Sequence, residues 1–121
     1  MYEILFYEDD KGYSPVEEFI KELDREAAKS KEARVLLKQV MHQINILERL
    51  GTRAGENFTK HVEDQIWELR PGNRRILFFM WIGDKIVLLH TFHKKTNKTP
   101  RKEIEKAKSE IKDWLRRNKD L

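Results

Sequence analysis

The chain has 121 residues, with 39% hydrophobic and 38% charged residues, 25 Lys/Arg against 21 Asp/Glu, and no cysteine. This is the size of one domain with a real core. Its longest apolar run, Ile76 to Ile82, is far short of the ~20 residues of a membrane-spanning helix. The absence of thiols excludes disulfides, thiolate zinc sites and cysteine nucleophiles, and the N-terminus lacks the basic start of a signal peptide. The expectation is one domain over residues 1–121, located in the cytoplasm.

The charge is unevenly spread. Residues 1–59 hold nine Lys/Arg and twelve Asp/Glu, whereas residues 60–121 hold sixteen and nine. The stretch from His90 to Lys102 carries Lys94, Lys95, Lys98, Arg101 and Lys102 without one acidic residue. Such a cluster attracts polyanions or, in the simpler reading, forms a solvated basic loop.

In chain order, Tyr2–Tyr7 is short, aromatic and branched, as a strand requires, and Asp9–Gly12 ends it. Ser14 precedes Pro15, with Glu17 three residues after Ser14. This capping box predicts a helix to about Lys29 with Val16, Phe19, Ile20 and Leu23 inward. Ser30 caps a second helix from about Lys31. Its stripe is Ala33, Leu36, Leu37, Val40, Met41, Ile44, Leu47 and Leu50, and Gly51 ends it. Thr52–Lys60 reads as a loop.

Three strands follow, His61–Arg70, Arg74–Ile82 and Lys85–Phe92, joined by the turns Pro71-Gly72-Asn73 and Gly83-Asp84 into an antiparallel meander. Thr99-Pro100 starts a last helix to about Arg117 with Ile104, Ala107, Ile111, Trp114 and Leu115 on one face. The order is β-α-α-β-β-β-α, an α+β fold with a small, mainly antiparallel sheet, two N-terminal helices and a C-terminal helix. The second of these three strands is apolar on both faces, with Ile76, Phe78 and Met80 opposing Leu77, Phe79 and Trp81. Both faces of the sheet therefore need cover, or one lines an aromatic cleft.

Two constellations can carry chemistry. Arg70 and Arg75 flank the Pro71-Gly72 turn, where two guanidinium groups can grip a phosphate. Alternatively, Glu68 and Arg75 form a structural ion pair across the hairpin. The second constellation is His90–Pro100. His90 and His93, at i and i+3, do not share a strand face, which makes a metal site weak. His90 reads as a satisfied core residue and His93 as an exposed group able to serve as general acid or base. The lysines lead into a helix N-terminus, and Phe92 offers a ring for base stacking. There is no Gly-rich phosphate loop and no serine nucleophile elbow.

The element order, together with Trp67-Glu68-Leu69-Arg70, Arg74–Phe79 and Leu88–Pro100 followed by Glu103–Ala107, resembles the RelE/HigB-like toxins of bacterial type II toxin–antitoxin systems, specifically their phage-derived branch. The resemblance covers most of the chain. It implies an mRNA interferase, a ribosome-dependent endoribonuclease that cuts mRNA by 2′-OH attack without metal or cofactor. It also implies a HigA-like helix-turn-helix antitoxin as partner, besides the ribosome and mRNA. Carried over by position, the catalytic set is Arg70, Arg75, His93 and Lys95. The RNA-binding set is Arg74, Phe92, Lys94, Lys98, Arg101 and Lys102. Two other classes stay open: a ParE-like DNA gyrase poison and a non-catalytic nucleic-acid-binding module.

Overall fold

A computed structural model describes residues 1–119. The elements are β1 (Glu3–Phe6), α1 (Pro15–Ala27), α2 (Lys31–Leu50), a 3-10 turn (Gly51–Ala54), β2 (Thr59–Glu63), β3 (Ile66–Leu69), β4 (Arg74–Met80), β5 (Lys85–His93) and α3 (Arg101–Arg117). They form one five-stranded sheet in the order β1-β5-β4-β3-β2. β1 runs parallel to β5, and every other pairing is antiparallel. The α+β class and the mainly antiparallel sheet are those expected. Among the described residues, no helix is long and apolar enough to cross a membrane.

Local chemistry accounts for most boundaries. The Ser14 and Ser30 hydroxyls accept from the Glu17 and Ala33 amides, so both expected caps form. Gly51 ends α2 at φ +59°, and its N–H returns to the Leu47 carbonyl. A Cβ there would lie 2.8 Å from the Tyr2 ring, which packs against this corner. Two of the stripe residues assigned to α2, Met41 and Leu50, are exposed, while Ile46 is buried instead.

The structure corrects the sequence reading beyond α2 as well. The strand expected over His61–Arg70 is two strands folded into a hairpin at Asp64-Gln65, so the order is β-α-α-β-β-β-β-α. Asp64 makes the reversal at φ +51°, a conformation that its short polar side chain tolerates, and its carbonyl meets His61 Nε2 at 2.6 Å. The segment read as a loop over Thr52–Lys60 contains a 3-10 turn and the first residues of β2. At α3, Pro100 rather than Thr99 occupies the cap position, because the Thr99 hydroxyl donates instead to Glu68 on β3. Leu115, expected inward, is exposed.

Strand alternation divides the core. Ile76, Phe78 and Met80 pack with Leu69, Leu88 and the α1 and α2 residues Val16, Leu23, Val40, Ile44 and Leu47. Leu77, Phe79 and Trp81 pack with Ile66, Val87, Leu89 and the α3 residues Ile104, Ala107 and Ile111. Phe78 and Phe79 are essentially inaccessible, and each such side chain contributes about 1.5–3 kcal/mol by burial. β5 carries one irregularity: Leu77 opposes His90 but Phe78 opposes Leu88. Leu89 is thus an extra residue, a β-bulge that reverses the facing of everything after it. His90 and Phe92 consequently turn toward α3, and Thr91 and His93 toward the N-terminal helices.

Gly51→Ala should destabilise the protein by about 1–3 kcal/mol, because it adds left-handed strain to a clash with an aromatic ring. Urea titration of the two proteins measures this; an unchanged midpoint contradicts the packing described for Tyr2.

Candidate active site

The end of the sheet gathers the charged residues singled out above. Alternation along β3 points Trp67 and Leu69 toward the N-terminal helices and Glu68 toward α3, where Glu68 is buried. Glu68 Oε2 lies 3.5 Å from Nε of Arg70 and 3.5 Å from Nε of Arg75, and Oε1 accepts from Thr99 at 2.9 Å. The Glu68–Arg75 pair raised as the structural alternative is therefore present, with its carboxylate shared by the second arginine. Arg75 also donates from Nη1 to the Gly72 and Arg74 carbonyls at 3.2 and 2.7 Å. Burial pulls its pKa below the ordinary guanidinium value; Glu68 opposes this and Arg70 adds to it. Arg70 is half-buried, and its Nη1 donates to the Glu56 carbonyl.

A residue the sequence reading passed over fixes this corner. Gln43, buried on α2, clasps the Arg70 backbone: its amide donates to the Arg70 carbonyl and its Oε1 accepts from the Arg70 N–H, both at 3.2 Å. A polar residue facing inward from an otherwise apolar helix face is the signal that marks it in the sequence.

Glu68, Arg75 and Phe92 form the floor of a cleft of about 10 Å³, room for one water, roofed by the segment Lys94–Pro100. The roof is tied at one end by the Lys94 N–H to the Asn73 carbonyl and at the other by Thr99 to Glu68. Lys94, Lys95 and Lys98 are all exposed and make no salt bridge among the described residues. Of the residues assigned from the sequence, the cleft thus unites Arg75, Phe92, Lys94, Lys95 and Lys98, with Arg70 adjoining through Glu68.

The other four lie elsewhere or are engaged. His93 and Arg74, opposite each other in the β4–β5 ladder, face the N-terminal helices, Arg74 by alternation with Ile76 and Phe78 and His93 because the Leu89 bulge has reversed the end of β5. The Arg74 guanidinium lies 4.5 Å over the Phe19 ring, where burial lowers its pKa. Arg101 donates to both Glu63 oxygens at 2.9 and 2.6 Å and to Glu105 at 3.0 Å. Lys102 is exposed on the first turn of α3. Among the described residues, no group of three or more His, Asp or Glu is arranged to hold a metal ion.

Two further contacts hold α3 against the sheet. His90, 1% exposed, has Nδ1 at 2.6 Å from Glu110 and Nε2 at 3.0 Å from Glu103. Both ring nitrogens face carboxylate oxygens, so α3 supplies a partner for each. His90 is the satisfied core residue expected, and its partners come from α3. At the outer edge, Arg101 and Lys108 hold the Glu63 carboxyl down to about 2, against its ordinary 4.5.

His90→Ala should cost about 3–5 kcal/mol, because it leaves the buried Glu110 carboxylate and the partly buried Glu103 carboxylate without their partner; calorimetry of the variant checks this. The Glu63 pair sets an acid limit. Its folded pKa lies below the ordinary value, so its stabilisation is complete above about pH 4.5 and is lost as the pH falls toward about 2. Thermal melts across that range should show a smaller acid-induced drop for Glu63→Gln than for the parent protein.

No curated relative matches the chain. Residues 18–112, which run from α1 into α3 and include Glu68, both cleft arginines and the lysine segment, match the family model for phage derived protein Gp49-like (DUF891). With most of its length matched, the chain belongs to this Gp49-like, phage-derived family.

Proposed function

We propose that this protein is the toxin of a type II toxin–antitoxin system and acts as a metal-independent mRNA interferase on the ribosome. The observation that carries the reading is the convergence of Arg70, Arg75 and the Lys94–Lys98 segment on one corner of the sheet. Membership of a phage-derived family agrees with it. In the reaction, the 2′ oxygen of the RNA bonds to the neighbouring phosphorus, the bond from phosphorus to the 5′ oxygen breaks, and the proton lost from one oxygen is matched by one gained at the other. Negative charge grows on the non-bridging oxygens, and a guanidinium held in fixed geometry offsets it. Arg75 fits that role, because Glu68 and two carbonyls hold its orientation before substrate arrives.

The exposed lysines supply the sequence-independent grip on the RNA backbone. Lys95 borders the cleft and His93 does not, which favours Lys95 as the proton carrier. The cleft of about 10 Å³ is too small for a phosphate, so Lys94–Lys98 lifts when RNA enters, releasing Thr99 from Glu68. The partner expected is a small helix-turn-helix antitoxin that restores translation, and the site of action is the cytoplasm.

Arg75→Ala should lower mRNA cleavage on purified ribosomes by on the order of 100–1000-fold while the variant remains folded by circular dichroism. Chelator should leave the parent activity unchanged. Full cleavage by a folded Arg70→Ala/Arg75→Ala protein would falsify the assignment of these arginines. Inhibition of DNA gyrase supercoiling without RNA cleavage establishes the gyrase-poison alternative, and RNA binding without either activity establishes a binding module.

A further inference from the structure

A groove of about 670 Å³ opens directly beside the cleft and shares with it the segment Thr96–Pro100. Its other wall is β2, with Lys60, Val62 and Glu63, and Ile104 closes its inner end. Three features build it. The bulge between His61 and Glu63 curls the outer strand toward α3, bringing Val62 into the α3-side core. The Glu63 carboxylate, gripped by Arg101 and Lys108, ties β2 to α3. Lys60 opposes Glu68 in the β2–β3 ladder and so stands on the same face, one strand spacing of about 4.8 Å outward from the arginine-bound carboxylate.

We propose that this groove is the subsite for the RNA nucleotides next to the scissile phosphate, with Lys60 gripping the neighbouring phosphate. The inference rests on the RNA-cleaving reading above and extends it to a residue outside the lysine-rich segment. Charge supports a polyanion as occupant: cleft and groove together present Lys60, Arg75, Lys94, Lys95, Lys98 and Arg101 against only Glu63 and Glu68. Lys60 is exposed and makes no salt bridge among the described residues, so its charge is available. The volume lies within the range of sites that enclose small ligands, whereas the cleft alone admits one water. A strand entering by the groove also lies against the segment that must lift to expose Arg75.

The test compares single-stranded 2′-O-methyl RNA oligonucleotides of two residues, which carry a single phosphodiester, and of ten residues; both bind without a 2′-OH to react. Lys60→Ala should weaken ten-residue binding several-fold and reduce its salt slope by about one, and leave two-residue binding unchanged. Lys60→Glu should act in the same direction and more strongly. Lys38→Ala, an exposed lysine on α2, should change neither. Cleavage of mRNA on ribosomes is measured in parallel. If the parent cleaves and Lys60→Ala binds both lengths like the parent, the subsite is overturned and the nuclease reading stands. If the parent cleaves no RNA, the nuclease reading falls and the subsite with it. Tighter binding of a polyglutamate peptide than of the ten-residue RNA, lost in Lys60→Ala, would assign the groove to an acidic protein segment and overturn the RNA proposal.

Discussion

The architecture rests on one constraint: β4 and the first half of β5 are apolar on both faces. Ile76 to Phe79 and Ile86 to Leu89 are each almost wholly withdrawn from solvent, which no two-layer sheet with a wet face can achieve. The chain meets this by folding α1 and α2 as a hairpin over one face and laying α3 across the other. The placement of α3 then determines the course of the basic segment before it, which must cross the end of the sheet to enter the helix.

Clusters of paired polar groups are built into this interior. His90 with Glu103 and Glu110 joins β5 to α3, Glu68 with Arg70, Arg75 and Thr99 joins β3 to β4 and to the segment before α3, and Gln43 joins α2 to the Arg70 backbone. Each is costly to leave half-satisfied, so together they specify how the layers meet more tightly than apolar packing does. The corner that holds both arginines is the best secured, gripped from α2 through Gln43 and from the α3 side through Thr99.

A single inserted residue decides which side chains meet there. With regular alternation after Val87 and Leu89, position 93 would face α3 and position 92 the N-terminal helices. The bulge at Leu89 exchanges them. Phe92 joins Arg75 above Glu68, His90 reaches the α3 carboxylates, and His93 leaves for the opposite face. The same device recurs on β2, where a bulge after His61 brings the strand toward α3 and shapes the outer groove.

The sequence by itself determined the α+β class, the caps at Ser14 and Ser30, the stop at Gly51, the division of β4 into two apolar faces and the basic character of Lys94–Lys102. These follow from short-range rules: hydrogen bonding at helix ends, the conformational freedom of glycine and the two-residue period of a strand. The split of residues 61–70 escaped it because Asp64 carries neither glycine nor proline to announce a turn, and the Thr99 cap failed because a buried carboxylate on another strand claimed the hydroxyl. Only the tertiary structure decided that Thr99 donates to Glu68, that Gln43 fixes Arg70, that Arg101 is engaged by Glu63 and that His93 stands apart from Arg75. Each of these depends on residues distant in sequence or on a bulge in the β4–β5 ladder, and side-chain facing beyond a bulge is set by the partner strand rather than by the strand's own pattern.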